Sequence, residues 1–215
     1  MTTKTFEGPG RDCALCPRLR EYLLGLRSEH PDWHNAPVPP FGPLTARLLV
    51  VGLAPGVRGA NRTGRPFTGD FAGDLLYATL SDLGLSRGAF DKRPDDGLEL
   101  LDVRITNAVR CVPPQNKPTP QEQKTCRPFL VDEMAAMPNL KGLLALGRIS
   151  HEAILRTLGL KLKDYPFAHG ALHRLPNGLI LGESYHCSRY NQNTGRLTDV
   201  MFQEALASLT SAIHQ

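Results

Sequence analysis

Two kinds of segment alternate along the chain, and this alternation constrains its fold more than any other feature. Four short apolar runs, each typical of a buried strand, are followed in turn by four segments of helical character. The strand candidates are residues 47–53, 102–109, 142–146 and 179–184. The helix candidates are residues 70–83, about 119–137, about 149–158 and 198–213. Short apolar strands are expected where helices cover both faces of a sheet, so the pattern predicts a three-layer α/β/α fold around a mostly parallel, four-stranded sheet.

The length and composition are those of a single folded domain. With 215 residues, 41% of them apolar, the chain can bury one core, and we expect one domain over residues 1–215. Residues 1–45 are predicted to form an irregular N-terminal segment. We see neither a signal peptide nor a run near the roughly 18 apolar residues of a membrane span. We therefore expect a cytoplasmic monomer with no membrane partner.

The five cysteines point to metal binding or catalysis, because disulfides are rare in the cytosol. Cys13 and Cys16 form a C-x2-C pair, and Cys111 and Cys126 are the next two cysteines along the chain. Four thiolates from two distant segments can hold either zinc or an iron–sulfur cluster. The sequence lacks the second C-x2-C pair of a zinc ribbon, which favours a cluster. Buried thiols without a ligand are the alternative.

A glycine-rich connection, residues 52–70, follows the first strand candidate. Its sequence GLAPGVRGANRTGRPFTGD has five glycines, two prolines and three arginines, so we expect no regular helix or strand there. It contains neither the phosphate-loop pattern G-x4-G-K-[ST] nor the dinucleotide pattern G-x-G-x-x-G. The alternative is a long connection without a functional role, although loops of this length are more often functional. Because ligands bind beyond the carboxyl ends of parallel strands, we expect this loop, Asn107 and the region after Tyr185 to form one site.

Four motifs, in this order, resemble the uracil-DNA glycosylase superfamily: GLAP, GANRTGRPFTGD, ITNAVRC and HCSRYNQNTGRLT. Together with the cysteine pattern they resemble its iron–sulfur branch, known as family 5 or type B, over nearly the whole chain. The resemblance implies a uracil-DNA glycosylase-like fold and a structural 4Fe–4S cluster that holds the N-terminal segment. The cluster ligands that it implies are Cys13, Cys16, Cys111 and Cys126.

The resemblance also implies a role for each matched residue around the base. Phe67 would stack on a base that has been flipped out of the double helix. Asn107 would bind the pyrimidine edge, since an amide both donates and accepts hydrogen bonds. His186 would donate to the base oxygen as negative charge develops there. Gly52 and Ala54 would complete the base pocket.

DNA would lie around these residues if the resemblance holds. Tyr190 falls where the superfamily inserts a side chain into the space left by the base. The other residues expected to contact the DNA strand are Arg62, Arg65, Ser188, Arg189 and Arg196. Arginine suits this task because its planar fork matches the geometry of phosphate.

The first motif departs from that of many superfamily members, which carry a polar residue there to handle water. This chain has Leu53 and Ala54 instead, an absence that type B members share. The nearest acid in a matching motif is Asp70. We expect Asp70 either to position water and balance a cationic sugar, or only to cap the following helix. The predicted catalytic residues are thus Asp70, Asn107 and His186.

The expected function is hydrolytic removal of uracil from DNA, leaving an abasic site, as in base excision repair. Type B relatives tend to be broader, so other deaminated bases such as hypoxanthine are expected substrates as well. The alternatives are a relative that traps DNA covalently and a catalytically silent iron–sulfur protein that only binds DNA. The net charge of +4 and the pI of 8.9 permit DNA binding, and a place at the nucleoid would follow from it.

Overall fold

A computed structural model of the chain describes residues 6–214. Its helices are Pro17–Glu29 (α1), Ala60–Thr63 (α2), Phe71–Asp82 (α3), Pro120–Ala135 (α4), Arg148–Thr157 (α5), Arg189–Asn193 (α6) and Asp199–His214 (α7). Its strands are Leu48–Gly52 (β1), Ser86–Arg87 (β2), Glu99–Leu100 (β3), Val103–Asn107 (β4), Gly142–Leu146 (β5), Leu172–Arg174 (β6) and Ile180–Ser184 (β7). All the predicted strands and helices are present, with bounds within about two residues of those expected.

The main sheet has five strands in the order β4-β1-β5-β7-β6. The first four are parallel, and every residue in them is buried. β6 pairs antiparallel with β7 at the edge. The mostly parallel sheet is confirmed, but the predicted number of four strands was one too low. The three residues of β6, LHR, are too few and too polar to show a strand pattern in the sequence.

Helices cover both faces of this sheet, as predicted. Successive residues of a strand point to opposite faces, so the side chains of β1 enter two different cores. Leu48 and Val50 lie in the core that α3 and α7 complete. Leu49 and Val51 lie in the core that α4 and α5 complete. The three-layer architecture is therefore confirmed.

Two helix caps expected from the sequence are also present. Thr119 and Glu122 form a reciprocal capping box, in which each side chain accepts from the backbone N–H of the other residue. Pro120 occupies the first position of α4, where a missing N–H costs nothing. The side chain of Asp70 accepts from the backbone N–H of Ala72 and caps α3. These local signals explain why both helix starts were predictable.

The N-terminal segment is more regular than predicted. Within residues 1–45, of which 1–5 lie outside the described part, residues 17–29 form α1. Its buried residues Leu19, Leu23 and Leu26 have helical spacing. Two further helical turns, α2 and α6, lie in the glycine-rich connection and in the segment after His186. None of the helices in residues 6–214 is both long and apolar enough to cross a membrane.

Candidate active site

One cleft lies at the carboxyl ends of the central strands. The segments after β1, β4 and β7 meet there, as expected for a parallel sheet. The cleft holds about 650 Å3, within the range of ~300–1,000 Å3 usual for small-molecule sites. The predicted site residues that line it are Ala54, Phe67, Asp70, Asn107, His186, Ser188 and Arg189. The three predicted catalytic residues thus surround one space.

Phe67 forms one wall of the cleft on an unusual backbone. Its φ is 52°, a left-handed conformation that costs about 1–3 kcal/mol for a residue with a side chain. A Cβ atom on Gly73 would lie 1.8 Å from the carbonyl oxygen of Phe67, so only glycine lets α3 approach this closely. The side chain is 7% exposed, and its ring centroid lies 6.1 Å from that of His186. The Phe67 ring is therefore a rigid surface, already in place before any ligand binds.

Gly52 and Asn107 are paired across the parallel strands β1 and β4. A Cβ atom on Gly52 would lie 2.5 Å from Oδ1 of Asn107 and 2.6 Å from Cζ of Phe67. Any larger residue at position 52 would therefore push the ring and the amide away. Gly52 is itself buried behind them, so it contributes space to the predicted base pocket. Ala54 lines the cleft directly, as expected.

His186 reaches the cleft from the end of β7. Its carbonyl oxygen accepts a hydrogen bond from Nδ2 of Asn191 at 2.8 Å, which holds the turn into α6. Burial lowers the pKa of His186 from its usual 6.5 to about 4. The imidazole is therefore neutral near pH ~7, with one N–H to donate and one nitrogen to accept.

Asp70 both caps α3 and lines the cleft. Its Oδ1 accepts from the backbone N–H of Ala72 at 3.2 Å, which confirms the capping interpretation. Its Oδ2 lies against the glycine-rich connection, 3.2 Å from where a Cβ atom on Gly56 would be. Burial raises the pKa of Asp70, and hydrogen bonds from the backbone of Gly73 and Ala72 partly oppose this. A raised pKa makes a carboxylate a better proton acceptor near neutral pH. The role of Asp70 with water stays a prediction.

The prediction that Arg65 binds DNA is wrong. Its side chain is 5% exposed, and both Nη atoms bond to the carboxylate of Asp96 at 2.7 Å. The guanidinium lies 5.0 to 5.6 Å from the ring centroids of Phe41, Tyr77 and Phe90. The burial of this pair keeps the guanidinium away from the surface, where a phosphate would lie. Asp96 is 31 residues away on another loop, so sequence motifs could not reveal this pairing.

The remaining residues predicted to bind DNA lie at the surface around the cleft. Arg62 is exposed, and Tyr190 is exposed by 71%. The guanidinium of Arg189 lies 5.1 Å over the ring of Phe71, and that of Arg196 lies 4.5 Å over the ring of Tyr185. A guanidinium that lies over an aromatic ring is held by it, and the N–H groups of the guanidinium stay open to a ligand. Ser188 lines the cleft and caps α6; the DNA contacts of all five stay predictions.

Among the residues that line the cleft but were not predicted as site residues are Arg58, Phe71 and Asn116. Arg58 is exposed in the same connection as the predicted arginines, so its charge was the available signal. Asn116 and its neighbour Gln115 both have left-handed backbones, with φ of 57° and 56°. Asparagine tolerates this conformation better than most residues. The PPQNKP segment carries no motif that predicts its position, which depends on the fold of the segment between Cys111 and Cys126.

The four predicted cluster ligands line one cavity. Cys13 and Cys16 meet Cys111 and Cys126 there, and all four are free thiols. Burial, and then the neighbouring thiols, raise the pKa of Cys111 to about 12. The backbone N–H of Arg110 donates to Sγ of Cys126 at 3.4 Å. Within residues 6–214, no group of three or more His, Cys, Asp or Glu side chains is arranged to hold a metal ion, so the cofactor stays a prediction.

Fold and cleft together define a protein of the uracil-DNA glycosylase class, and the sequence comparisons agree. Residues 39–210 match the family model of the uracil DNA glycosylase superfamily. The match covers well over half of the chain, and the chain belongs to that superfamily.

Among individual proteins, the chain is similar to type-5 uracil-DNA glycosylases. It is 48% identical to the one from Thermus thermophilus over 200 residues, which cover 90% of each chain. It is 42% identical to the one from Pyrobaculum aerophilum over 199 residues, 91% of this chain and 86% of the relative. It is 41% identical to the one from Mycobacterium tuberculosis over 201 residues, 89% of this chain and 75% of the relative. These relatives confirm the resemblance to family 5.

The lowered pKa of His186 has a consequence for stability in acid. Between pH 6.5 and about 4 the unfolded chain binds a proton at this side chain that the folded protein does not, so stability falls as the pH falls. Replacing His186 with Gln removes this group, and we expect a smaller drop in melting temperature between about pH 7 and about pH 5. His30→Gln, at an exposed position, is the matched control and should keep the full drop. An equal drop in both variants would contradict the prediction.

Proposed function

We propose that the protein is a DNA repair enzyme that excises uracil from DNA by hydrolysis and leaves an abasic site. The observation that carries the proposal is the convergence of Phe67, Asn107 and His186 on one cleft in a chain of this superfamily. The curated relatives that cover most of the chain are named uracil-DNA glycosylases, which supports the same substrate.

Recognition begins with a base that has left the double helix, because a stacked base cannot reach the cleft. Stacking on Phe67 contributes roughly 1–3 kcal/mol, while extrusion of the base costs a few kcal/mol. Stacking therefore offsets part of the cost, and the amide of Asn107 adds hydrogen bonds to the pyrimidine edge. Because the Phe67 ring is already packed beside Gly52 and Asn107, little ordering is needed when the base arrives.

The reaction breaks the bond between N1 of uracil and C1′ of the deoxyribose. The electron pair of this bond leaves with the base, water adds to C1′, and the water gives up a proton. His186 is neutral near pH ~7, since its pKa is about 4, and donates a hydrogen bond to the base oxygen that gains negative charge. A single donor of this kind typically stabilises a transition state by about 3–4 kcal/mol.

The carboxylate of Asp70 is the acid of the cleft best placed to act on the sugar side of the reaction. In this role it positions the attacking water and stabilises the positive charge on the deoxyribose. Its capping bond to Ala72 uses Oδ1, and Oδ2, beside the glycine-rich connection, is the atom proposed to bind the water molecule. Leu53 and Ala54 line the same cleft and cannot act on water, so no second acid or base stands at the first motif.

The surface around the cleft is proposed to bind the DNA strand. Arg58, Arg62, Arg189 and Arg196 are exposed there and suit phosphates, while Tyr190 fills the space left by the base. A monomer suffices for this arrangement, because one chain supplies the whole cleft. A glycosylase of this kind acts on chromosomal DNA at the nucleoid.

The substrate range is proposed to include other deaminated bases such as hypoxanthine. The cleft of about 650 Å3 is roomy, and the small side chain of Ala54 lines it where other members carry a polar residue. A bicyclic base therefore meets no bulky side chain at this position.

A 4Fe–4S cluster is the proposed cofactor, and the four thiols of Cys13, Cys16, Cys111 and Cys126 are its proposed ligands. They line one cavity and come from two segments more than ninety residues apart in sequence. Soft thiolate ligands suit iron–sulfur clusters. When bound, the cluster would be structural: through the four cysteines it would tie the segment before α1 to the segment that carries Asn116 to the cleft.

The assay that tests the function uses labelled duplexes containing uracil, hypoxanthine or only normal bases, followed by alkali treatment. We expect strand breaks at uracil and, more slowly, at hypoxanthine. Phe67→Ala should slow single-turnover cleavage at uracil by about 10- to 100-fold, since stacking is worth roughly 1–3 kcal/mol. An adduct that survives denaturation would instead indicate a protein that traps DNA covalently. A mobility shift without cleavage would indicate a silent DNA-binding protein.

The catalytic role of Asp70 is tested by Asp70→Asn. Asparagine caps a helix as well as aspartate does, so the melting temperature should stay unchanged. Without the carboxylate, we expect single-turnover cleavage to slow by about 10²- to 10⁴-fold. Asp74→Asn, one turn further along α3, is the matched control and should cleave normally. Full activity in Asp70→Asn would leave Asp70 with the capping role alone.

The cofactor is tested by spectroscopy of protein purified without oxygen. We expect a broad absorbance in the visible range from the cluster, lost in Cys13→Ser because one of its four thiolates is removed. Cys187→Ser is the matched control and should keep the absorbance, since Cys187 lies in the core outside the cavity of the four thiols. Colourless protein that contains zinc would contradict the iron–sulfur proposal.

A further inference from the structure

We propose that Asp96, in the loop between β2 and β3, is a positioning residue that holds Phe67 in its base-stacking conformation by fixing Arg65. The inference rests on the proposed function, because it takes Phe67 to be the surface on which the flipped base stacks. Asp96 is not among the residues that line the cleft, so it acts through the protein rather than on the substrate.

The carboxylate of Asp96 is the centre around which its loop folds. It accepts four hydrogen bonds: two from the guanidinium of Arg65, each at 2.7 Å, one from the backbone N–H of Asp91 at 3.0 Å, and one from that of Leu98 at 3.1 Å. Its side chain is 1% exposed. These bonds hold the pKa of Asp96 well below its usual range, chiefly through Arg65, so the pair stays ionised. The loop and Arg65 are therefore locked together.

Arg65 connects this ion pair, through hydrogen bonds, to both neighbours of Phe67. Its Nε donates to Oγ1 of Thr68 at 2.8 Å, and the Thr68 hydroxyl donates to the carbonyl of Pro66 at 3.2 Å. The hydroxyl of Tyr77 donates to the same carbonyl at 2.6 Å. The residues immediately before and after Phe67 are thus held by one buried network, which begins at Asp96.

Phe67 needs such support because its backbone conformation is unfavourable by itself. With φ at 52°, it stays in the left-handed region only where its surroundings leave no alternative. The glycines at 52 and 73 provide the space for this conformation, but space alone does not favour it. The network through Arg65 favours it, since its hydrogen bonds fix the residues on both sides of Phe67.

Because the ion pair is buried, the position of the Arg65 side chain depends on the charge of Asp96. The Arg65 guanidinium is enclosed by Phe41, Tyr77 and Phe90, with 5.0 Å to the nearest ring centroid. A buried guanidinium that loses its carboxylate must find another partner or move toward water. Either movement would release Thr68 and allow Phe67 to leave its position.

The test compares binding to two uncleavable duplexes in the wild type and in Asp96→Asn. One duplex carries 2′-fluoro-deoxyuridine, whose base can stack on Phe67. The other carries a tetrahydrofuran abasic site, which has no base and reports only on contacts to the DNA backbone. We expect the preference for the base-containing duplex to fall about tenfold in Asp96→Asn, a size typical of residues coupled in one network. A merely unstable protein would lose binding to both duplexes in the same proportion.

Two further variants make the test specific. In a Phe67→Ala background, Asp96→Asn should change the preference by less than about twofold, since the stacking surface is already absent. Asp102→Asn removes the carboxylate of another ion pair, with Arg47 at 2.7 Å, which lies before β1 and β4 at the far end of the sheet. This control should keep the wild-type preference. If Asp96→Asn does not fold, Arg65→Lys keeps the positive charge, loses the bidentate fork and should lower the preference in the same direction.

The outcomes separate this inference from the proposed function. Wild-type protein that neither excises uracil nor prefers the base-containing duplex would overturn the proposed function. Wild-type protein that does both, with an unchanged preference in Asp96→Asn and in Arg65→Lys, would overturn the positioning role alone. A loss of preference that is equally large in the Phe67→Ala background would also overturn it.

Discussion

The parallel pairing of β1 with β4 is the constraint on which the site depends. It places Gly52 directly beside Asn107, and the bare backbone of Gly52 lets the ring of Phe67 approach the same point. A shift of one residue in this register would turn the side chain of Asn107 to the opposite face of the sheet. The strand ends are fully buried, so the register is held by the same apolar packing that stabilises the two cores.

The arginines divide into two groups that composition does not distinguish. Arg65 and Arg110 are buried. Arg65 pairs with the buried carboxylate of Asp96 and Arg110 with that of Glu133, so both charges are neutralised inside the protein. Arg189 and Arg196 are exposed and lie on aromatic rings beside the site. Exposed arginines such as these are free to meet a polyanion, whereas the buried ones are not. The net charge of the chain therefore says less about DNA binding than the position of a few side chains.

The N-terminal segment and the site are connected through α4. Arg18 of α1 makes a bidentate pair with Glu122, which also closes the capping box at the start of α4. Further along α4, Glu133 accepts from Arg110, whose backbone N–H in turn donates to the thiol of Cys126. The polypeptide thus brings the four thiols together with its own ion pairs. The segment that presents Asn116 at the cleft is anchored at the same place.

The sequence by itself determined the four parallel strands, the helices between them, the caps at Asp70 and Thr119, and the motifs that supply Phe67, Asn107 and His186. Periodicity and capping act over a few residues, so they can be read locally; β6, with three residues of which only Leu172 is apolar, falls below that limit. Only the tertiary structure decided that Arg65 turns inward to Asp96, that Phe67 adopts a left-handed backbone, and that Asn116 reaches the cleft. Each of these depends on contacts between segments far apart in the chain, which exist only once the sheet and its loops have packed.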